Sequence, residues 1–483
     1  MTIKGEGVYN VVVIGAGTAG LVTAAATAGL GGRVALVERD RMGGDCLNTG
    51  CVPSKALISS ARLVRQIRRA EDWGLEPMDP RFDFARVFGR MRERRAKIAP
   101  HDSQERFESL GVDVFRGHAR FLSPREVEVD GRRLTAKNFV IATGSRPAVP
   151  PVAGLSEVPF LTNETVFDDL REKPDRLVVL GGGPVGCELG QVFARLGVRV
   201  TIVQRPPQIL EKEDPDAAGL VRRILEEEGV TVLAGAQARG VSRNGRAVRV
   251  EVEIGESERR AVDADAIFVA AGRVANTGDL GLEAAGVALG ENSIRVNRHL
   301  QSSQPHIYAA GDVVGGYQFT HVADAHARVI ARNILFPWWQ TTWDDSVVPW
   351  CTYTSPEVAR VGLNETDARR RGVKFDVWRR PLDEVDRAVV ESEEVGFAKV
   401  LTRKGGDRVL GATIVSERAG DLVHELVLAM KAGVGLKEIS STIHAYPTFA
   451  EVSRRLADEY QKSRLTPGVR RLFEWLYRRA RRA

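Results

Sequence analysis

Near its start the chain reads VVVIGAGTAG (residues 11–20), a short apolar run that leads directly into a Gly-x-Gly-x-x-Gly pattern. This order predicts a buried strand, a tight turn and a helix, in which the glycines allow close approach of a pyrophosphate and close packing of helix on strand. Free N–H groups at the helix N-terminus favour phosphates. A second apolar run ends at Glu38, where an acid can accept from a ribose 2′-hydroxyl. Residues 11–38 therefore predict a dinucleotide-binding fold, the first nucleotide unit.

Residues 177–204 repeat this pattern and form the predicted second nucleotide unit. An apolar run leads into GGGPVG (residues 181–186), which is followed by a predicted helix and a further apolar run. One glycine pattern alone is weak support for a nucleotide site. Two such patterns, each in strand, turn and helix context, predict two nucleotide sites in one chain.

The two units differ at the end of their second strand. The position that matches Glu38 is held by Gln204, and Arg205 follows it. An arginine without an acid beside it suits a 2′-phosphate, so this pair predicts NADPH rather than NADH. The alternative is that Arg205 is a solvated charge at a strand end.

Two later segments predict further walls of the first nucleotide site, because each is an apolar strand that runs into a glycine turn. They are residues 139–144 and residues 306–312, the second of which ends in an acid. From 347 to 419 short β-type runs dominate, and predicted helices follow at 421–432 and 451–463. This C-terminal part predicts a mixed α+β domain.

Cys46 and Cys51 lie in GGDCLNTGCVPSK (residues 43–55), just after the first nucleotide unit. A regular helix would separate them by about 7.5 Å of axial rise, whereas bridged cysteines need Cα atoms about 4.4–6.8 Å apart. A disulfide here requires a distorted turn, which Gly50 permits. Strain makes such a bond easier to reduce, so the spacing favours a redox-active pair.

Two other interpretations of this pair are buried free thiols and half of a zinc site. Zinc normally takes four ligands, and the remaining cysteines, Cys187 and Cys351, stand in unrelated contexts that predict packing roles. We predict no metal site.

The size and composition predict a globular protein of about three domains, since 483 residues exceed one core and 43% of them are hydrophobic. No run of about 18 apolar residues predicts a membrane span, and the first residues lack a secretion-signal pattern. Four cysteines do not make a disulfide framework, so we expect a cytoplasmic location.

The net charge of +6 is concentrated at the C-terminus. From Arg464 onward there are seven arginines and a single acid, Glu474, and this balance equals the charge of the whole chain. The remaining body is formally neutral, which argues against a surface that tracks nucleic-acid phosphates.

Taken together, the motifs resemble those of the pyridine nucleotide–disulfide oxidoreductase family up to about residue 463. Within that family the chain is similar to mercuric reductase-like proteins and to dihydrolipoamide dehydrogenase. The resemblance implies FAD in the first unit, NAD(P)H in the second, and a homodimer whose C-terminal domain completes the partner's active site. The motifs are both glycine patterns, residues 43–55, Ala142-Thr-Gly144, Ala270-Ala-Gly-Arg273, Gly311-Asp312, and Pro447-Thr448 with Glu451.

The resemblance also implies roles for individual residues. Cys51 matches the cysteine nearer the flavin, and Cys46 matches the one that meets substrate. Lys55 matches a lysine near the flavin that pairs with a glutamate, here Glu188, and Asp312 matches the acid that holds the ribityl chain. The full set of candidate cofactor-binding positions is Gly15, Gly17, Gly20, Glu38, Gly44, Lys55, Ala119, Thr143, Gly144, Gly181, Gly183, Gly186, Gln204, Arg205, Gly272, Gly311 and Asp312.

The chain departs from dihydrolipoamide dehydrogenases at Tyr446, where they place a catalytic histidine oriented by the glutamate that matches Glu451. A tyrosine with a pKa of about 10 stays protonated near neutral pH, unlike histidine. The usual acid–base pair is therefore missing, which argues against dihydrolipoamide oxidation. His444 is a candidate substitute, with a capping or core role as the alternative.

Mercuric reductases carry a tyrosine at this position, which favours the second comparison. They also end in a vicinal cysteine pair that hands the metal inward, whereas this chain has no cysteine after Cys351. Handling of Hg(II) would then rest on Cys46 and Cys51 alone.

The predicted fold class is α/β, with two Rossmann-like domains and a C-terminal α+β dimerisation domain. The predicted segments are 1–155 and 275–345 for FAD binding, 156–274 for NAD(P) binding, 346–463 for dimerisation and 464–483 as a basic amphipathic tail. The tail suits an anionic membrane surface or an acidic partner, and the alternative is a solvated helix packed on the dimer.

Three functions follow from these observations. The first is a flavoenzyme that passes electrons from NADPH through Cys46 and Cys51 to a disulfide or a thiophilic metal. The second is oxidation of a dihydrolipoyl group with NAD. The third is a redox-sensing or membrane-docking flavoprotein that acts through its tail.

Overall fold

The computed structural model describes residues 7–245, 247–255 and 257–481. Residues 1–6 of the first predicted segment, and Arg482 and Ala483 of the tail, lie outside the described residues. The strands are β1 (Val8–Ile14), β2 (Val34–Glu38), β3 (Val112–Arg116), β4 (Ala119–Ser123), β5 (Glu126–Val129), β6 (Arg132–Ile141), β7 (Ser145–Pro147), β8 (Arg176–Leu180), β9 (Arg199–Gln204), β10 (Thr231–Ala234), β11 (Ala236–Asn244), β12 (Ala247–Ile254), β13 (Glu258–Ala264), β14 (Ala266–Val269), β15 (Arg273–Ala275), β16 (Ile307–Ala309), β17 (Pro349–Thr352), β18 (Glu357–Gly362), β19 (Phe375–Pro381), β20 (Phe397–Arg403) and β21 (Val409–Ser416).

Several of the helices pack against the sheets, among them those at Thr18–Gly29, Pro184–Arg195, Ala419–Ala432 and Glu451–Ser463. The α-helices are α1 (Thr18–Gly29), α2 (Gly44–Asn48), α3 (Cys51–Arg68), α4 (Phe84–Ile98), α5 (Gln104–Ser109), α6 (Val166–Asp169), α7 (Pro184–Arg195), α8 (Pro215–Glu227), α9 (Thr320–Leu335), α10 (Glu365–Arg370), α11 (Asp386–Val390), α12 (Ala419–Ala432), α13 (Leu436–Ser441), α14 (Glu451–Ser463) and α15 (Pro467–Ala480). Among the described residues, none of these helices is both long and apolar enough to cross a bilayer.

The first nucleotide unit lies at the centre of a parallel sheet with the order β3-β2-β1-β6, and β16 pairs in parallel with β6. Strands β1 and β2 consist almost entirely of Val, Ile, Leu and Ala, and most of their residues are fully buried, as expected where helices cover both faces. Ile14, Ile141 and Ala309 pair at the carboxyl ends of three neighbouring strands. The loops that follow these strands therefore meet at one edge of the sheet.

The second nucleotide unit forms a smaller parallel sheet with the order β10-β9-β8-β14. Val269 at the end of β14 pairs with Leu180 at the end of β8, so the segment from Ala270 to Arg273 lies beside the second glycine loop. An antiparallel sheet, β11-β12-β13, shares a core with this unit.

The C-terminal sheet is antiparallel with the order β17-β18-β21-β20-β19. Apolar side chains from its strands and from α12, α13 and α14 form one core, which includes Val400, Ile414, Leu426 and Leu456. The predicted mixed α+β character of this part is confirmed, and α14 has the bounds that the sequence pattern predicts.

The chain divides into two compact units. The first comprises the described residues of Met1–Val64, Pro80–Pro207 and Glu228–Asp345, and the second those of Arg65–Asp79, Gln208–Glu227 and Ser346–Ala483. Both nucleotide units and the two cysteines of residues 43–55 belong to the first compact unit. The antiparallel sheet and the segment with Tyr446 belong to the second.

Candidate active site

The glycine loops of the two nucleotide units adopt closely similar conformations. Gly15 and Gly181 both have a left-handed φ, +104° and +116°, where other residues are strained. A Cβ on Gly20 would lie 1.8 Å from the Gly15 carbonyl oxygen, and one on Gly186 would lie 1.9 Å from that of Gly181. Glycine is therefore required at these positions by the close packing of each helix on its turn.

Each loop leaves space beside a helix N-terminus. Gly17 and Gly183 precede α1 and α7, and no side chain in the described part of the chain caps either helix. A Cβ on Gly17 would meet only the Gly44 Cα, at 3.8 Å, and one on Gly183 would meet nothing within 4 Å. Uncapped N–H groups beside open space fit the pyrophosphate of a dinucleotide.

The strand-end residues Glu38 and Gln204 are held by their own glycine loops. The Ala16 N–H donates to Glu38 Oε2 at 2.6 Å, and the Gly182 N–H donates to Gln204 Oε1 at 2.6 Å. Both side chains are buried, whereas Arg205 is exposed. The two sites therefore present a carboxylate and an amide in the same place.

The helix that carries the sulfur pair is interrupted between the two cysteines. Cys46 lies in α2, which ends at Asn48, and Cys51 is the first residue of α3. Gly50 stands in the break, where a Cβ would lie 3.0 Å from the Asp45 carbonyl oxygen. The Gly50 backbone is not left-handed, so glycine is favoured there by the close approach of Asp45. Both cysteines are free thiols, which corresponds to the reduced form of the pair.

The surroundings of Cys51 favour its thiolate. A hydrogen bond from the Cys46 thiol is the largest influence, and together with Thr320 and Lys55 it lowers the pKa of Cys51 to about 6 against the opposing effect of burial. The same hydrogen bond raises the pKa of Cys46. The Thr320 Oγ1 lies 3.3 Å from Cys51 Sγ at the start of α9. The pair therefore holds one proton, on Cys46, near neutral pH.

Lys55 and Glu188 form the ion pair that the resemblance implied. The Lys55 Nζ donates to Glu188 Oε2 at 2.7 Å, and this contact joins α3 to α7. The Glu188 side chain is buried and Lys55 is partly exposed. An ammonium held in place here, one helical turn after Cys51, stabilises negative charge beside the sulfur pair.

A partly buried polar network extends from Asp45, the residue before Cys46, to Asp312. Arg273 contacts the Asp45 carboxylate at 3.0 Å and the Asp312 carboxylate at 3.5 Å. Ser145 donates to Asp312 at 2.5 Å, and burial raises the pKa of Asp312. Asp45 also accepts from Thr49 Oγ1 at 2.6 Å, which fixes the turn between the cysteines. We did not predict roles for Asp45 or Thr320, and Arg273 entered only as part of a motif.

The remaining candidate cofactor positions of the first compact unit lie at or beside the ends of strands and helices. Gly311 donates its N–H to Nδ1 of His326 at 3.2 Å, and burial lowers the pKa of that histidine to about 4, so the ring is neutral. Thr143 Oγ1 donates to the Asn276 carbonyl at 2.7 Å. Gly44, Gly144 and Gly272 have a left-handed φ. Ala119 is buried at the first position of β4.

The C-terminal candidates lie in the second compact unit. The Tyr446 hydroxyl is exposed and donates to Asp386 Oδ2 at 3.0 Å, and this carboxylate raises the pKa of Tyr446. His444 places its ring nitrogens 2.8 Å from Glu425 Oε1 and 3.0 Å from the Thr442 carbonyl oxygen. These contacts favour the structural interpretation of His444.

Glu451 is buried near the same segment. Its Oε1 contacts Arg454 at 3.0 Å, while its Oε2 has no hydrogen-bond partner among the described residues. Within one chain the hydroxyl of Tyr446 is therefore held by Asp386, and Glu451 is held by Arg454.

The other two cysteines lie apart from the sulfur pair. Cys187 is fully buried, where burial raises its pKa, and its thiol donates to the Gly182 carbonyl at 3.3 Å. Cys351 lies in β17 and packs against the C-terminal core. Among the described residues, no cluster of His, Cys, Asp and Glu side chains is arranged to bind a metal ion.

Comparison with known proteins gives, over most of the chain, the same family that the sequence motifs resemble. The family model described as pyridine nucleotide-disulphide oxidoreductase matches residues 9–327, and the model of its dimerisation domain matches residues 348–457. The chain is 35% identical to a mercuric reductase of Staphylococcus aureus over 95% of this chain and 83% of that protein. It is 37% identical to a dihydrolipoyl dehydrogenase of Thermus scotoductus over 94% of this chain and 98% of that protein.

A solved structure also superposes over most of the chain. The HOCl-induced flavoprotein disulfide reductase RclA from Escherichia coli, in its Cu(II) complex, gives a TM-score of 0.84 at 28% identity and covers 94% of this chain and 99% of that one. The predicted fold class is confirmed by these matches, and the matched dimerisation domain supports the predicted homodimer. The chain is therefore an enzyme of the pyridine nucleotide-disulphide oxidoreductase family, whose members use FAD and a pyridine nucleotide.

Proposed function

We propose that this enzyme is an NADPH-dependent reductase that passes an electron pair through Cys46 and Cys51 to a disulfide or a thiophilic metal ion. The observation that carries the proposal is the geometry around the sulfur pair: Thr320 Oγ1 lies 3.3 Å from Cys51 Sγ, and the Lys55–Glu188 ion pair begins one helical turn after Cys51. The hydrogen bond from Cys46 and these contacts lower the pKa of Cys51. FAD, when bound, supplies a two-electron relay between the nicotinamide and this pair. Lys55, paired with Glu188, stabilises the negative charge that accumulates nearby.

The chain's own residues account for reduction of a disulfide acceptor. Cys46 passes its proton to the Cys51 thiolate as it attacks one acceptor sulfur, so that a mixed disulfide forms and the other sulfur leaves as a thiolate. The leaving thiolate takes this proton from Cys51, which becomes a thiolate again. Cys51 then attacks the Cys46 sulfur, which releases the second acceptor thiolate and restores the Cys46–Cys51 disulfide. Tyr446 of the partner subunit donates a hydrogen bond to the leaving sulfur. For each acceptor, NADPH and one proton are consumed and two thiols and NADP⁺ are formed.

Two observations support the choice of donor and acceptor. Gln204 and Arg205 at the second unit lack the acid that Glu38 supplies in the first, which favours a 2′-phosphate. The Staphylococcus aureus relative is a mercuric reductase and the Escherichia coli relative a disulfide reductase in a Cu(II) complex. Thiolates bind such soft metals well.

The test compares wild type with Cys46→Ser for NADPH-driven reduction of disulfides, quinones and Hg(II). Cys351→Ser is the matched control, because Cys351 lies in β17 and has no proposed role. We expect Cys46→Ser to lose disulfide and Hg(II) reduction while Cys351→Ser keeps both. Full activity of Cys46→Ser with every acceptor would remove the sulfur pair from the mechanism.

Oxidation of a dihydrolipoyl group with NAD is the second candidate. Its support is the 37% identity to the dihydrolipoyl dehydrogenase of Thermus scotoductus. Tyr446 argues against it, because its hydroxyl keeps its proton where a histidine would exchange one. Strong steady-state turnover of dihydrolipoamide with NAD would favour this candidate over the first.

We also propose the five-segment division given above, with residues 1–155 and 275–345 binding FAD and 156–274 binding NADPH, and the site residues as assigned there. A cytoplasmic location fits the reducing conditions that a free dithiol needs.

A further inference from the structure

The C-terminal helix α15 has two chemically different faces. Successive helical residues are about 100° apart around the axis, so the apolar side chains fall within one arc. That arc contains Val469, Leu472, Phe473, Leu476 and Ala480, and Trp475 and Tyr477 flank it on either side. The opposite face contains Arg470, Arg471, Glu474, Arg478 and Arg481. Arg479 lies between Leu472 and Trp475 at the edge of the apolar arc, with its guanidinium 5.7 Å from the Trp475 ring centroid.

The apolar face of α15 is open. No residue of this helix is buried, and the exposed fractions are 54% for Leu472, 46% for Phe473 and 54% for Trp475. An amphipathic helix ordinarily covers its apolar stripe, and a contiguous exposed patch of this kind marks an interaction surface. Because α15 follows the matched dimerisation domain, which ends at residue 457, this surface is additional to it.

The helix is specified by its own sequence. Thr466 caps the N-terminus by accepting from the Val469 N–H at 3.4 Å, and Pro467 occupies the first turn. Phe473 and Tyr477 stack with ring centroids 6.3 Å apart. Both contacts lie within residues 466–477, so the helix is supported by contacts of its own segment.

We propose that α15 binds the surface of an anionic lipid bilayer. Its apolar arc would enter the boundary of the acyl chains, and Trp475 and Tyr477 would lie at headgroup depth, where amphipathic rings are favoured. The seven arginines from Arg464 onward, against one acid, match a surface of lipid phosphates. A groove in an acidic protein would cover only one face of the helix, whereas the headgroup layer surrounds both its flanks with negative charge. The proposal does not rest on the reaction that the enzyme catalyses.

The test is sedimentation of the full-length FAD-loaded enzyme with vesicles. We expect binding to vesicles of three parts phosphatidylcholine and one part phosphatidylglycerol, weaker binding at high salt, and little binding to pure phosphatidylcholine. Phe473→Ser combined with Leu476→Ser should weaken binding at least tenfold. Arg470→Gln combined with Arg478→Gln should weaken it about fivefold per arginine. Leu289→Ser, at an exposed leucine elsewhere, is the control and should bind as wild type does.

Several outcomes would overturn the proposal. The first is that the enzyme sediments with neither kind of vesicle, and the second is that sedimentation is unchanged after deletion of the residues beyond Ser463. The third is that the enzyme binds heparin more strongly than vesicles and that Phe473→Ser with Leu476→Ser does not change heparin binding. Conversion of the dimer to a monomer by the same deletion, without vesicle binding by wild type, would assign the apolar face to a second copy of the chain. NADPH oxidation should be unchanged by the deletion, so a failure here is distinct from a failure of the proposed reaction.

Discussion

The two nucleotide units share one backbone geometry and differ in one functional group. In each, a Cβ on the first glycine would lie 2.4 Å from a carbonyl oxygen of the neighbouring strand end, that of Ala142 for Gly15 and that of Ala270 for Gly181. The strand-end side chain accepts from the glycine loop at 2.6 Å in both units. That side chain is a carboxylate in one unit and an amide in the other. The glycines therefore fix the backbone of each nucleotide site, and the strand-end side chain sets the charge of that site.

The residue after the strand sharpens this contrast. Arg39 follows Glu38 just as Arg205 follows Gln204, and both arginines are exposed. The arginine is therefore common to the two units. What distinguishes the second unit is the absence of the acid that would repel a 2′-phosphate.

The largest expected effects come from removing the shared geometry in one unit at a time. Gly20→Ala should yield protein without bound flavin, because the new methyl would lie 1.8 Å from the Gly15 carbonyl oxygen. Gly186→Ala should keep its flavin and lose NADPH-driven reduction by more than about 100-fold. Flavin absorbance per chain and stopped-flow reduction measure the two effects.

Gly29→Ala is the control for both variants, since Gly29 ends α1 and a Cβ there would meet nothing within 4 Å. If Gly20→Ala binds a full complement of flavin, Gly20 and Gly186 do not have equivalent roles in their two units.

Exchange of the acid and the amide tests what that side chain decides. Gln204→Glu should lower kcat/KM for NADPH by about 10–100-fold and turn the preference toward NADH, because a charged hydrogen-bonding group is worth about 1.5–3 kcal/mol. Steady-state kinetics with both nucleotides measure the change. Glu258→Gln, at an exposed acid of β13 in the same compact unit, should leave the preference as it is. If Gln204→Glu keeps the NADPH preference of wild type, the strand-end residue does not distinguish NADPH from NADH.

A smaller effect is expected from the exposed arginine. Arg205→Ala should lower kcat/KM for NADPH about tenfold and leave that for NADH nearly unchanged, since only NADPH carries the phosphate. Arg39→Ala, at the same position of the first unit, should change neither value. Equal losses with both nucleotides would mean that Arg205 supports the fold of the loop instead.

Only the first nucleotide unit is followed by a sulfur pair, and the smallest effect is expected at that pair. Thr320→Val should raise the pKa of Cys51 from about 6 to at most about 7, because one hydrogen bond to the thiolate is lost. Alkylation of the reduced enzyme at pH 6 should slow accordingly and recover at higher pH. Cys51→Ser identifies the transition that belongs to Cys51. A pH profile identical to wild type would exclude Thr320 from stabilising the thiolate.

Local patterns predicted the parts of this molecule that local chemistry determines. The apolar runs beside Gly15 and Gly181 predicted strands β1 and β8. The spacing to Glu38 predicted an acid at the end of β2, whereas its hydrogen bond with the Ala16 N–H was not predicted. The break between Cys46 and Cys51 also followed from spacing, because a continuous helix keeps them too far apart.

Long-range contacts were beyond prediction from sequence patterns. Thr320 is 269 positions from Cys51, and no periodicity marks it as a neighbour of a thiolate. No sequence pattern marks Asp45, because its contact with Arg273 arises only in the folded chain. Thr49 also donates a hydrogen bond to it. Lys55 and Glu188 were paired through the family resemblance, since each alone is an ordinary helical charge.

The central claim is that electrons pass through Cys46 and Cys51, and anaerobic titration of the FAD-loaded full-length enzyme with NADPH tests it most directly. A flavin and a disulfide each accept one electron pair, so wild type should take up twice as much NADPH per flavin as Cys51→Ala. Equal uptake by the two proteins, with no thiols gained in wild type, would contradict the claim.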